Sequence, residues 1–173
     1  IHNEKTDEKN QELPINQSQD SREAIFDFEQ NPGGGKGDIG GGTLILKAPA
    51  GFEFNTAATP SITFAAGRNI TAASIAVTDS ATLTVTLSVT GSNSADAITI
   101  GETTPVGVRP SAGTPLSSGS IYRPTSGGGT AVILGVTATA SADGSGGTSF
   151  GTLGAGAGAA RRLALQTGPP SAV

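Results

Sequence analysis

Cysteine, methionine and tryptophan are all absent from the 173 residues of this chain. Without cysteine there is no disulfide framework, no thiol nucleophile and no thiolate metal site, so stability must come from packing alone. Without methionine, Ile1 cannot be the translation start, and we expect a processed product or a piece of something longer, with a removed secretory signal as the simplest account. No run of about 18 apolar residues occurs, so we expect no membrane span.

Groups that carry acid–base or metal chemistry are scarce. His2 is the sole histidine and lies in a polar stretch, so a Ser-His-Asp triad or a histidine metal site has almost nothing to be built from. We therefore expect no enzymatic activity, no cofactor and no bound transition metal. Paired carboxylates remain formally possible, but the acidic residues beyond residue 30 are expected to be solvated loop residues; they are Asp38, Glu53, Asp79, Asp96, Glu102 and Asp143.

The charge is distributed unevenly along the chain. Residues 1–30 contain eight acidic and three basic residues, whereas the rest of the chain contains six acidic and seven basic ones. Beyond residue 30 only roughly a tenth of the residues are charged, against about a quarter in an ordinary soluble domain. A surface of Thr, Ser and Gly without a basic stripe offers no footprint for nucleic acid.

The N-terminal part is predicted to differ from the rest in structure. Residues 1–23 are polar and lack hydrophobic periodicity, which is typical of disorder. The following AIFDF segment at 24–28 predicts a short strand, and the glycines that follow predict a flexible joint. We therefore divide the chain into a polar extension with a possible donor strand (1–30), a glycine-rich joint (31–42) and a domain (43–173).

Beyond residue 42, apolar residues alternate with Thr and Ser in short runs separated by Gly, Pro, Asn and Asp. The pattern predicts about eight to ten strands and favours an all-β, Ig-like or jelly-roll-type β-sandwich. A β-solenoid is the main competitor, supported only by the near-repeat of GGGTLILKAPA (40–50) and GGGTAVILGVT (127–137). The runs are 43–48, 52–54, 62–64, 68–79, 81–90, 97–100 and 105–110, with further strand-like stretches at 121–122, 130–142, 148–153 and 159–167.

Several short motifs have both a functional and a plain structural interpretation. Asp96 and Asp143 are the loop acids to consider for calcium, but a turn is the favoured interpretation because no D-x-D-x-D series is present. The glycine-rich stretches lack the order of a phosphate loop and are interpreted as joints. Asn16 and Asn69 begin N-glycosylation triplets, for which chance occurrence is the alternative. The Arg161-Arg162 pair is interpreted as a surface pair rather than a processing site.

Three segments carry a resemblance to a known family: GTLILKAPAGFEFN (42–55), SGSIYRPTSGGGTAVI (118–133) and ARRLALQTGPPSAV (160–173). They resemble the repeated Ig-like β-sandwich modules of very large secreted and cell-surface proteins of bacteria. The resemblance covers most of residues 39–173 and none of residues 1–23. It implies an extracellular Ig-like module, with the type of segment at 160–173 marking a junction between modules, and it implies no catalytic residue.

Two functions follow as hypotheses, with an enzyme such as a glycosidase or protease as a minor alternative. In the first, the protein is a subunit of an extracellular fibre whose partners are copies of itself, and the donor strand is formed by Ala24, Ile25, Phe26, Asp27 and Phe28. In the second, it is a stalk or adhesive module of a large surface protein that contacts a glycan or another protein. Low aromatic content counts against sugar binding, because Tyr122 is the only Tyr or Trp in the chain.

Overall fold

The structure is a computed structural model, and it describes residues 22–24, 26–29, 37–111 and 116–155, with side chains for 37–111 and 118–154. Within these ranges the chain forms eleven strands and no helix, which confirms the predicted all-β class for the part described. Every register between two strands is antiparallel. The strands are β1 (Arg22–Ala24), β2 (Phe26–Glu29), β3 (Gly42–Lys47), β4 (Phe52–Phe54), β5 (Ile62–Phe64), β6 (Ile70–Asp79), β7 (Thr82–Val89), β8 (Ala97–Ile100), β9 (Val106–Pro110), β10 (Leu116–Ser120) and β11 (Thr152–Ala155).

One sheet has the order β3–β7–β6, with β7 in the centre. Its side chains alternate because successive residues of a strand point to opposite faces. Leu46 pairs with Leu83 across the β3–β7 register, and both are fully buried. At the β6–β7 turn the Asp79 carboxylate accepts a 2.8 Å hydrogen bond from the amide of Ala81. That bond, together with one from the Thr82 hydroxyl, holds the pKa of Asp79 below its ordinary value.

A second group of strands has the orders β2–β8–β5 and β1–β9–β4. β1 and β2 follow each other along the chain, as do β8 and β9. The consecutive strands β1 and β2 therefore pair with the consecutive strands β9 and β8, respectively. The alternating apolar side chains of β8 and β9 are buried, as are Phe52 and Phe54 of β4. These short strands are the ones predicted from AITI, PVGVRP and FEF.

The outer edge of β3 is covered by an irregular stretch of chain rather than by a strand. Lys47 and Tyr122 exchange backbone hydrogen bonds of 2.8 and 3.2 Å, and the amide of Ala131 donates to the carbonyl of Thr43 at 2.8 Å. β10 and β11 form a separate two-stranded sheet. The C-terminal half of the described chain therefore closes one edge of the β3–β7–β6 sheet.

The two halves of the near-repeat contact each other directly. The amide of Thr43 donates to the Thr130 hydroxyl at 3.1 Å, and the amide of Thr130 donates to the Thr43 hydroxyl at 3.2 Å. The reciprocal bonds, together with the antiparallel bridges Ile39–Ile133 and Lys47–Tyr122, show that the two stretches run antiparallel, whereas successive coils of a parallel β-helix run in the same direction.

A single buried apolar cluster joins the two groups of strands. Its members come from β3 and β7 on one side and from β4, β8 and β9 on the other, as expected for a β-sandwich-like arrangement. The most fully shielded aliphatic and aromatic side chains are Ile39, Leu46, Phe54, Leu83, Val85, Val106 and Ile121.

The strand predicted at 130–142 is wrong. The structure shows only isolated bridges there, from Ile133 to Ile39 and from Thr139 to Pro124. Burial does alternate over 131–134, with Val132 and Leu134 exposed. Gly135 then adopts a left-handed conformation with φ +81°, which turns the chain before a strand can continue.

Other predicted strands near the C-terminus are shifted or lie outside the described residues. β10 ends at Ser120, immediately before the predicted Ile121 and Tyr122, of which Tyr122 makes only a bridge to Lys47. β11 overlaps the end of the strand predicted at 148–153. The stretch at 159–167 lies outside the residues that the structure describes.

Leu83 offers a direct test of the core. It is fully buried on the central strand β7, so Leu83→Ala is expected to lower the free energy of unfolding by about 2–5 kcal/mol through lost burial and the cavity left behind. Chemical denaturation measures the change. Thr86→Ala, at an exposed position of the same strand, is the matched control and is expected to cost less than about 1 kcal/mol. Equal losses of unfolding free energy in the two variants would show that the buried and exposed faces of β7 are assigned wrongly.

Candidate strand-acceptor site

Strands β8 and β9 form the surface on which the N-terminal segment lies. β8 is bordered on one side by β5 and on the other by β2, and β9 lies in the same way between β4 and β1. Since β1 and β2 border no other strand in these sheets, they form the outer edge. Without them, β8 and β9 would present a row of unpaired backbone groups.

The register places the predicted donor residues on this surface. Ala24 of β1 pairs with Val106, and in β2 the pairs are Phe26 with Ile100, Asp27 with Thr99 and Phe28 with Ile98. The strand predicted from AIFDF is therefore present as two pieces, which begin at Arg22 and end at Glu29. Ile25, the fifth predicted donor residue, lies outside the described residues.

The apolar residues of the accepting strands belong to the core. Ile98 and Ile100 of β8 and Val106 and Val108 of β9 are each less than 5% exposed. In an edge strand whose neighbour is removed, such side chains lose part of their cover and the backbone loses its hydrogen-bond partners. The site is thus a strand-binding site without catalytic groups. It can bind an extended segment through main-chain hydrogen bonds, with the alternating apolar residues of β8 and β9 beneath that segment.

The five residues between β8 and β9 are held by Ser61. The Ser61 hydroxyl accepts hydrogen bonds from the amides of Thr103 and Thr104 at 2.9 and 3.0 Å, and the Ser61 backbone bonds Gly101 and Thr104 at 2.8 Å. These residues interrupt the accepting line between Ile100 and Val106. The interruption lies between Val106, which pairs with Ala24 of β1, and Ile100, which pairs with Phe26 of β2.

The chain returns close to the point at which the segment ends. Glu29, the last residue of β2, pairs with Ala97, and the Asp38 carboxylate accepts a 3.4 Å hydrogen bond from the amide of Asp96, the residue before Ala97. In the sequence, QNPGGGK at 30–36 lies between the end of β2 and the described start of the domain at residue 37. An extended chain of this length could span about 25 Å.

A second polar arrangement lies beside this return point and is fully buried. Asp38, Asn69 and Asp96 are each no more than 2% exposed. Asp96 Oδ1 accepts from the amides of Asn69 and Ile70 at 2.9 and 3.1 Å, and Asp96 Oδ2 accepts from Asn69 Nδ2 at 3.0 Å. The expectation that all six acids are solvated loop residues is therefore wrong for Asp38 and Asp96, because backbone and amide donors from distant segments replace water there.

The remaining sequence candidates take ordinary structural roles. Asp143 is exposed and accepts from the amide of Ser145 at 2.9 Å, which lowers its pKa and makes it a turn residue, as predicted. Glu53 pairs with Arg109 at 2.5 Å, and Glu102 accepts from the Thr63 hydroxyl at 3.3 Å. Asn69 is buried and hydrogen-bonded, so its glycosylation triplet has no accessible amide in the folded domain. His2, Asn16 and the Arg161-Arg162 pair lie outside the described residues.

One cleft of about 370 Å³ lies at the end of β4 and β9. Its lining is mainly polar and includes Asn55, Thr56 and the Glu53–Arg109 ion pair. The two charged groups satisfy each other, so the cleft presents neither a free acid nor a free base. Among the described residues, no group of three or more His, Asp or Glu side chains converges there or elsewhere.

No protein-family model, no curated protein and no solved structure matches this chain. In the part of the chain that is described, no helix has the length and apolarity needed to cross a membrane. For the described residues, the structure defines an all-β fold with several antiparallel sheets.

Proposed function

We propose that this protein is a subunit of an extracellular surface fibre, in which segment 22–29 of one copy pairs with β8 and β9 of the next. The observation that carries the proposal is the position of the segment. Its strands β1 and β2 are the edge strands of their sheets, where β1 borders only β9 and β2 borders only β8. A strand in this position can be replaced by the same strand from a neighbour with the same hydrogen bonds.

The connection between segment and domain suits such an exchange. Seven residues, 30–36, separate the end of β2 from the first described residue of the domain, and an extended chain of that length could reach about 25 Å. Exchange of an end segment through a linker of this kind is a low-cost route to assembly, and head-to-tail exchange generates a filament because it does not close on itself.

Composition and fold support the remaining parts of the proposal. Two observations support a relation to the Ig-like modules of large bacterial surface proteins: the β-sandwich-like core, and the resemblance of the GTLILKAPAGFEFN and SGSIYRPTSGGGTAVI segments to such modules. A weakly charged surface of Thr, Ser and Gly suits a repeating extracellular structure better than an enzyme, and the partners would be further copies of the same chain.

Electron microscopy of purified protein tests the assembly. The full chain is expected to form filaments, and a variant that lacks residues 1–30 is expected to form none. Mixing a small fraction of the truncated variant into the full chain should shorten the filaments, because a truncated copy accepts a strand but donates none.

A self-contained stalk module is the second candidate. It is favoured by the fact that a single chain can pair the segment with its own β8 and β9. If the full chain and the truncated variant are both monodisperse monomers at millimolar concentration, strand donation is wrong and the segment serves only its own domain.

A further inference from the structure

Three segments that are distant in sequence bring two carboxylates into one buried cluster. Asp38 lies just before β3, Asn69 just before β6, and Asp96 just before β8. Their side chains are 1%, 1% and 2% exposed. Burial of two carboxylates in one place is costly unless each is hydrogen-bonded or neutralised.

Hydrogen bonds satisfy one of the carboxylates but not the other. Asp96 receives three, two on Oδ1 and one on Oδ2, so Oδ2 keeps one free lone pair. Asp38 receives a single long hydrogen bond on Oδ1 from the amide of Asp96. Asp38 Oδ2 has no hydrogen-bond partner at all, although it is completely shielded from solvent.

The other polar groups of the cluster are already engaged. The carbonyl of Ser94 accepts from Asn69 Nδ2 at 2.6 Å and from the amide of Gly37 at 3.4 Å. Arg68 is the nearest basic residue in sequence, and its guanidinium donates to the carbonyl of Ala95 at 2.6 Å. Within the described ranges neither Asp38 nor Asp96 forms an ion pair. The negative charge of the cluster therefore has no protein counter-charge in that part of the chain.

We propose that this cluster is a calcium site, in which Asp38 Oδ2 and Asp96 Oδ2 are the charged ligands of the ion. All the available donors are oxygens, which hard cations prefer, whereas zinc prefers nitrogen and sulfur. Calcium also tolerates irregular sets of carboxylate and carbonyl ligands, while magnesium requires near-octahedral geometry and retains its waters. An ion at this position supplies the missing partner of Asp38 and offsets the buried charge.

The site would fix the junction between the N-terminal segment and the domain. Asp96 precedes Ala97, which pairs with Glu29 at the end of β2, and Asp38 follows the linker from Glu29. Calcium would therefore join the entry of the domain to the start of the accepting strand. This inference does not depend on whether the segment pairs within one chain or between copies, so either can fail without the other.

Calcium titration of the chelator-treated full chain by two-dimensional NMR tests the site without any variant. The amide signals of Asn69, Ile70 and Asp96 are expected to shift, with a dissociation constant of about 0.1–1 mM, the range of extracellular calcium modules. The amides of Ser145 and Ala81, which bond exposed aspartates, are expected to stay in place. Absence of shifts up to 10 mM calcium, or shifts confined to Ser145 and Ala81, would overturn the proposal.

Thermal unfolding of variants provides the second measurement. Calcium at 10 mM is expected to raise the midpoint of the native chain by several degrees over the chelator-treated state, since it binds only the folded form. Asp38→Asn should remove the response, and without calcium its midpoint should equal or exceed that of the native chain because an unpaired charge is gone. The matched control Asp143→Asn, in an exposed turn, should keep the full response. An unchanged calcium response in Asp38→Asn would also contradict the site; if that variant does not fold, the NMR titration decides.

Discussion

Removal of residues 1–30 is expected to destabilise the domain as well as to prevent assembly. Seven residue pairs join β1 and β2 to β9 and β8, and their loss opens one edge along both accepting strands. Because the backbone groups of β8 and β9 lose hydrogen-bond partners worth about 1 kcal/mol each and the apolar residues beneath lose cover, the free energy of unfolding is expected to fall by at least about 1 kcal/mol. Denaturation in urea measures it directly.

A shorter truncation is the matched control for this experiment. Deletion of residues 1–20 removes most of the acidic extension but leaves β1 and β2 intact, so it is expected to change the free energy of unfolding by less than about 0.5 kcal/mol. A synthetic peptide of residues 20–31 should restore the stability of the chain that lacks residues 1–30, in a concentration-dependent manner. Equal stability of both truncations would show that β8 and β9 do not need the segment.

The regular strands could be predicted because their signal is local. β3, β4, β7, β8 and β9 were all predicted from apolar residues at alternate positions, which is the period at which side chains of a strand change face. The 130–142 stretch shows the same local alternation over 131–134 but is not a strand. Its backbone bonds residues 38–43 irregularly, and Gly135 turns the chain, so the outcome is decided by contacts made far along the sequence.

The candidate site was predicted only on the side of the donor. AIFDF is apolar and stands between polar and glycine-rich sequence, which made it recognisable. The acceptor could not be named from sequence, because AITI and PVGVRP look like any other short strands until their neighbours are known. The buried cluster was missed for a related reason: the donors that replace water around Asp96 come from Asn69 and Ile70, which are 27 and 26 residues away.

The glycine-rich stretch at 127–129 was predicted to be a joint, and this is wrong. Gly128 is buried, and Arg123 donates hydrogen bonds to the carbonyls of Gly128 and Gly129 at 2.9 and 3.1 Å. Glycine at position 129 lets the backbone of Thr43 approach closely, and it also permits a positive φ angle. Composition cannot distinguish these two uses of glycine, because the close neighbour is Thr43, 86 residues away from Gly129.

Alanine substitutions at Gly127 and Gly129 distinguish the conformational role of glycine in this turn from its role in close chain approach. Gly127 and Gly129 both have positive φ angles, +72° and +84°, so alanine at either position carries a conformational cost of about 1–2 kcal/mol. A Cβ atom at Gly127 would meet nothing within 4 Å, whereas one at Gly129 would lie 2.1 Å from the carbonyl oxygen of Thr43. That oxygen belongs to backbone that also accepts a hydrogen bond from Ala131, so it cannot move aside without breaking the contact that covers β3.

Gly129→Ala is therefore expected to destabilise the domain by at least about 2 kcal/mol more than Gly127→Ala, and it is among the changes most able to prevent folding. Urea denaturation of the two variants gives the difference, and circular dichroism shows whether Gly129→Ala still folds. If both variants lose a comparable free energy of unfolding, the backbone at Thr43 moves to accommodate the added methyl group. The contact between the two GGGT motifs would then not be needed to keep the covering chain on β3. A larger loss in Gly129→Ala would show that the two halves of the near-repeat are held in contact by the absence of a side chain at this one position.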